Sequence, residues 1–230
     1  MLIHIRLPEI LVTTVFAGLL LITLSASAFA ANHFRLQFGA GVQGGDPEVS
    51  AAGGSVDLDT DTGFAISGGA WVDKVGWKYL SLGLEYLGLQ DSDFSESGSV
   101  SGTVLGVTFS ATGDIDVEPT IDAFMINAAI RNNSGNSHPY IGGGIGFALA
   151  SADVTFSGTG TIDGEAFGPG SVDDDDTAFA GQLFIGFDYD VVGSLYLGVN
   201  GRYFLMDADL FGADVEFRTW SVMGIVGFRF

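Results

Sequence analysis

The sequence predicts an all-β fold, an up-and-down antiparallel barrel of eight strands that crosses a membrane. Three observations predict it. Segments of about ten residues alternate apolar with small or polar side chains, the period-two signature of strands with two unlike faces. The links between these segments alternate short and long. Acidic residues gather in the long links, and most basic residues of residues 31–230 gather toward the short ones.

Residues 1–30 are expected to be a cleaved secretory signal and residues 31–230 the barrel. Arg6 is a positive residue near the start, residues 10–24 are an apolar run, and Ala26-Ser27-Ala28 and Ala28-Phe29-Ala30 are small-x-small cleavage sites. The first strand covers 33–42, with Phe34, Leu36, Phe38, Ala40 and Val42 on one face and Arg35, Gln37, Gly39 and Gly41 on the other. The next five cover 64–73, 79–89, 122–131, 140–149 and 179–189. In the seventh, 195–204, Leu195, Leu197, Val199 and Tyr203 alternate with Tyr196, Gly198, Asn200 and Arg202. In the eighth, 219–230, Trp220, Val222, Val226, Phe228 and Phe230 alternate with Ser221, Met223, Gly227 and Arg229.

Alternation alone fits a soluble sandwich as well as a membrane barrel, which turns its apolar face outward to lipid. The connections decide between them. Links 74–78, 132–139 and 190–194 are short, whereas 43–63, 90–121, 150–178 and 205–218 are long. Short periplasmic turns and long outer loops are the habit of outer-membrane barrels. The long links hold 22 of the 28 acidic residues of the chain. Trp71, Trp77, Tyr79, Tyr140, Tyr189 and Tyr196 fall where strands meet short turns, which predicts an aromatic girdle on that side. Strands of this length, tilted, suffice to cross hydrocarbon, and only closed barrels or helices pair every backbone group there.

Composition narrows the functions. With 28 acidic and 8 basic residues the net charge is −20, which argues against a nucleic-acid partner. No cysteine is present, so disulfides, thiolate zinc sites and thiol nucleophiles are excluded. The mean hydropathy is positive despite the charge, so something apolar must face a medium other than water.

Three stretches resemble the small eight-stranded outer-membrane barrels of Gram-negative bacteria, the OmpA-type membrane domain and its single-domain relatives. They are the glycine-rich Pro139-Tyr140-Ile141-Gly142-Gly143-Gly144-Ile145-Gly146-Phe147, the C-terminal Val226-Gly227-Phe228-Arg229-Phe230, and the signal followed at once by a strand. The resemblance implies an outer-membrane location, with outer-membrane lipids and lipopolysaccharide as surroundings and a barrel-assembly machinery that reads Phe228 and Phe230. It implies no cofactor and a monomer. The chain as read stops at Phe230, so the tethering role of a periplasmic peptidoglycan-binding domain is not expected here.

Relatives that are enzymes imply a histidine working with Ser, Asp or Glu at the outer rim. His33 and His138 both fall on the periplasmic side, so no catalytic residue and no enzyme is expected. The run Asp173–Asp176 offers carboxylate oxygens to divalent cations, but without the spaced pattern of a specific calcium loop it reads first as a solvated acidic loop, and no metal site is assigned. A repeat links 107–116 with 154–163; these segments extend strands four and six or pair as hairpins beyond the membrane, or, paired across it, make ten strands.

Interior candidates are Arg35, Gln37, Glu85, Asn127, Gln182, Asn200 and Arg202. Eight strands enclose just enough room for side chains to fill. Glu85 and Arg202 fall near mid-span and are expected to join one buried ionic network, since a lone charge there would be costly. The expected function is a structural or surface-interaction barrel with acidic outer loops and a filled lumen. The alternative is a narrow channel or transporter for small or apolar solutes, similar to the OmpW type.

Overall fold

A computed structural model describes residues 33–45, 48–51, 54–57, 62–90, 94–104, 107–162, 165–210 and 213–230. The signal read at residues 1–30 lies outside the described residues. Eight strands close a ring by antiparallel pairing. In spatial order they are β1 (Phe34–Gly45), β4 (Gly63–Asp73), β5 (Leu80–Gln90), β7 (Val107–Arg131), β8 (Ser137–Ile162), β10 (Gly170–Val192), β11 (Leu195–Leu210) and β12 (Ala213–Arg229). The ring is shut by β1 against β12, from Arg35 opposite Arg229 to Gly45 opposite Thr219. The last backbone donor, Phe230 N, reaches Phe34 O at 2.8 Å. Eight members close the ring, so the ten-strand arrangement does not form.

The four remaining strands extend the long links as sheet. They are β2 (Glu48–Ala51), β3 (Gly54–Asp57), β6 (Phe94–Val104) and β9 (Glu165–Phe167), which build outward on β12, β2, β7 and β8 respectively. The repeated segments prolong β7 and β8 and pair with each other, Gly113 opposite Gly158 and Ile115 opposite Phe156. They thus extend the fourth and fifth members of the ring, where the sequence reading had placed the second copy on the sixth strand. The short turns need left-handed backbone at Lys74, Gly76, Gly135 and Gly193, three of the four being the residue that adopts it without strain.

Apolar side chains cover the outside of the wall, for example Ile126 (64% exposed), Leu183 (66%) and Ile185 (63%). No helix among the described residues is long and apolar enough to cross a membrane. The predicted girdle is only half right. Trp77 and Tyr189 face outward, but Trp71, Tyr140 and Tyr196 are buried inside the barrel. The physical reason is parity: these three share a face with Asp73, Gly186 and Arg202 rather than with the lipid-facing residues of their strands and neighbours. Each lies directly opposite a glycine, Trp71 on Gly83, Tyr140 on Gly186 and Tyr196 on Gly227. A Cβ at any of those glycines would come within 2.4 Å of the ring, so the close approach requires glycine. The outer rim has its own aromatic row, Tyr86, Phe124, Phe147 and Phe179, each opposite the next on adjacent strands.

Candidate functional site

The lumen is where polar side chains converge. Its middle layer joins opposite walls of the ring, β5 and β11. Glu85 accepts a two-pronged contact from Arg202, with Nη2 at 2.8 Å from Oε1 and Nη1 at 3.1 Å from Oε2. Arg202 Nη1 also donates to Gln182 Oε1 at 2.8 Å, and Gln182 Nε2 donates to Asn127 Oδ1 at 2.7 Å. Asn127 Nδ2 returns to Glu85 Oε2 at 2.8 Å, so four side chains from β5, β7, β10 and β11 form a closed circuit. The fork of Arg202 matches the geometry of a carboxylate, which makes this the strong type of ion pair. Glu85 is 3% exposed and Arg202 6%, so neither charge would be tolerated there without the other.

A second layer lies toward the short turns. Arg35 Nε donates to Asp73 Oδ2 at 2.7 Å, and Ser81 Oγ to Asp73 Oδ1 at 2.6 Å. Arg131 pairs with Asp188, whose Oδ2 also lies 3.9 Å from Arg35 Nη1. Arg35 Nη1 is 3.4 Å from Gln37 Oε1 and 3.3 Å from the Tyr196 hydroxyl. The Tyr196 ring is approached by three guanidinium groups, Arg35 at 5.8 Å, Arg131 at 5.9 Å and Arg229 at 5.5 Å from its centre. An aromatic face attracts cations, and here it separates three of them at short range. Nearest the turns, Asp190 Oδ2 accepts from Arg229 Nη1 at 2.8 Å and lies 2.9 Å from His138 Nε2. Asn200 Nδ2 donates to the Tyr140 hydroxyl at 3.2 Å and ties the two layers together.

Across both layers Arg35, Arg131, Arg202 and Arg229 face Asp73, Glu85, Asp188 and Asp190, so the formal charges cancel. All seven interior candidates read from the sequence are buried. Asp73, Arg131 and Asp188 also point inward without being among the interior candidates, although they lie within the predicted strands 64–73, 122–131 and 179–189 and share the parity of the inward face; Arg229 falls on the polar face read for the last strand. Phe228 and Phe230, by contrast, face outward at 41% and 61% exposure, and the Phe230 ring lies 6.1 Å from that of Phe34.

Above Glu85 the lumen changes character. Leu87, Met125, Phe204, Phe217, Met223 and Ile225 are buried against one another and against a row of small residues, Ala123, Ala148, Ala150 and Ala180. At the outer rim the pairing of β10 with β11 stops at Ala180 opposite Met206. Beyond that point the Asp run does local work: Asp174 Oδ1 accepts from Asp175 N at 3.1 Å, and Asp176 Oδ1 from Thr177 N at 2.8 Å. Asp176 Oδ2 takes Asp209 N of β11 at 2.8 Å, bridging the seam. Among the described residues no three acidic or histidine side chains are grouped to hold a metal ion.

The ring is closed, apolar on its outside and lined by charged and polar side chains toward the turns. The family model described as outer membrane protein beta-barrel domain matches residues 16–230. The chain belongs to that family. It is therefore an outer-membrane barrel of a Gram-negative bacterium. Among solved structures, the barrel is similar to Neisserial surface protein A, with 14% identity and a TM-score of 0.47 over 86% of this chain and 97% of that one. It is similar also to Ail, the attachment invasion locus protein of Yersinia pestis, with 14% identity and a TM-score of 0.43 over 86% and 99%. A third is the outer membrane protease OmpT of Escherichia coli, with 9% identity and a TM-score of 0.48 over 87% and 98%. No curated protein matches the chain.

Proposed function

We propose that this outer-membrane barrel is a non-enzymatic structural and surface-interaction protein, whose sealed wall presents acidic loops to the exterior. The observation that carries the reading is the charge-balanced lumen. A bidentate Glu85–Arg202 pair, braced by Gln182 and Asn127, spans the bore at mid-height, and an apolar packing layer lies above it. A barrel of eight strands has little interior left once such side chains occupy it. The loops meanwhile hold most of the acidic residues, so they attract cations and basic partners over about 8 Å at physiological salt. His33 and His138 both sit at the turn end, and His138 is 1% exposed and engaged with Asp190 and the Asn132 carbonyl, which speaks against a base poised at the outer rim.

Conductance in planar bilayers tests the plug. The unmutated protein is expected to show no large stable pore, and Glu85→Gln to show brief openings; a persistent channel in the unmutated protein overturns the reading. Binding of the isolated outer loops to cells tests the surface role.

One observation favours the second reading, a narrow path for apolar solutes of the OmpW type: the outer half of the lumen is apolar rather than polar. Flux of small apolar solutes into liposomes above the protein-free rate would support it against the first.

A further inference from the structure

The strand β6 has a free side. It pairs with β7 from Phe94 opposite Val117 to Val104 opposite Val107, and among the described residues no strand pairs with its other edge. An unpaired edge presents backbone N–H and C=O groups that template another strand, so proteins ordinarily guard such edges with charge, proline or short length. The outer part of β10, past the point where its pairing with β11 stops, follows that habit and carries Asp173–Asp176. β6 does not. It is 11 residues long, and residues 97–104 hold no charge and no proline in a chain of net charge −20.

The same segment is a palindrome. Reading outward from Val100, Ser99 is matched by Ser101, Gly98 by Gly102 and Ser97 by Thr103. A two-fold axis through Val100 sets Ser opposite Ser, Gly opposite Gly and Ser opposite Thr in an antiparallel pair of β6 strands. Ser and Thr opposite one another are among the cross-strand pairs that stabilise sheets, and a self-complementary patch is what a two-fold interface requires. Direction matters as well. β6 starts beside Val117, just past Thr120 where β7 leaves its pairing with β5, and ends beside Val107 at the far end of β7, so it leads away from the membrane. The two-fold axis that makes two copies of β6 antiparallel reverses this direction, which puts the second barrel in a facing membrane.

We propose that β6 pairs antiparallel with β6 of a second copy of this chain in an apposed membrane, Val100 opposite Val100, so that two barrels join their sheets edge to edge. The proposal rests on the surface-interaction reading and names a partner for it. Two features choose this occupant. A basic partner finds its complement in the aspartates of the long links, whereas residues 97–104 offer no charge to complement and match their own sequence. Two chains of charge −20 repel at long range, but that repulsion is screened beyond about 8 Å at physiological salt, so the neutral edges are free to meet.

The test reconstitutes the folded protein into phosphatidylcholine vesicles and follows their clustering by light scattering. Vesicles carrying the unmutated protein are expected to cluster, and to do so more as salt rises from about 0.01 M to about 0.15 M, the opposite of a contact between unlike charges. Val100→Lys and Val100→Asp each set like charges opposite one another and are expected to lower clustering roughly tenfold. Mixing those two vesicle populations is expected to restore it, because only a self-opposed position turns the two defects into one ion pair. The chain has no cysteine, so Val100→Cys is expected to form a disulfide between copies on mild oxidation, opposite Cα atoms lying about 4.5–5.5 Å apart. Ser97→Cys is expected to give none with itself, its two copies lying about 20 Å apart, but to cross-link with Thr103→Cys. Heat-modifiable gel migration establishes that every variant is folded. No clustering by the folded unmutated protein, or Ser97→Cys joining itself as readily as Val100→Cys, overturns the proposal, while binding of the isolated loops to cells would in that case keep the surface role standing without it.

Discussion

The two ends of the lumen are built on opposite principles. Toward the turns, four arginines and four carboxylates hold the walls together by directional, charge-assisted bonds, with aromatic rings lodged on glycines. Toward the exterior, Leu87, Phe204 and Met223 are fully buried and hold the same cylinder by shape alone. The first design fails when one partner is removed, because a buried charge is left behind. The second fails in proportion to volume, because cavities forfeit contacts but strand no charge. The difference teaches that a narrow barrel does not need a polar interior to be filled. The polar end specifies which strands face one another across the bore, and the apolar end contributes packing.

The largest expected effect tests the polar end. Arg202→Met leaves Glu85 buried without its cation and is expected to cost about 3–5 kcal/mol. The double variant Glu85→Leu with Arg202→Met is expected to recover most of that loss, since no charge is then stranded. Urea unfolding followed by gel mobility measures both; a double variant as unstable as the single would refute the pairing argument. At the apolar end, Leu87→Ala is expected to cost about 2–5 kcal/mol, while the volume-conserving Leu87→Met costs less than about 1.5 kcal/mol. If Leu87→Met proved as damaging as Leu87→Ala, the outer half would depend on more than shape.

The contrast was only partly legible in the sequence. Strand number, order and facing follow from period-two alternation and link length, and both depend on local chemistry along one strand. The inward parity of Glu85 and Arg202 is legible for the same reason. The apolar upper core was not. Leu82 and Leu84 face outward in the turn half of β5 while Leu87 and Leu89 face inward in its outer half, so the apolar side of the strand changes face along its length and alternation loses contrast. The inward turn of Trp71, Tyr140 and Tyr196 was hidden by a different cause: aromatics at strand ends fit a girdle equally well until their cross-strand glycines are known, and register is a property of two strands. The bridge of Asp176 to Asp209 could not be read at all, because it depends on where pairing stops between β10 and β11.

A glycine probes that register directly. Gly186→Ala places a Cβ 2.3 Å from the Tyr140 ring, which must shift and lose its 3.2 Å bond from Asn200. Overpacking of this kind is expected to cost about 1–3 kcal/mol. Gly181→Ala serves as the comparison on the same strand, since nothing lies within 4 Å of its Cβ, and it should leave the unfolding midpoint nearly unmoved. Equal losses in the two variants would mean that the ring-on-glycine contact is not what limits the site.

The smallest effect concerns the boundary between the barrel wall and the loops. Asp176 takes Thr177 N with one oxygen and Asp209 N, across the seam, with the other. Both amides lie beyond the point where β10 and β11 cease to pair, at Ala180 opposite Met206. Asp176→Ala therefore removes two acceptors at a solvent-accessible site, where each net hydrogen bond is worth about 0.5–1.5 kcal/mol. Hydrogen exchange at the Asp209 amide is expected to quicken several-fold, with no change in global stability, because opening there is local. Asp176→Asn keeps one carbonyl acceptor and should fall between the two. If exchange at Asp209 were unchanged in Asp176→Ala, the acidic run would be a solvated loop at this position too, and the seam would be held by something other than its carboxylates.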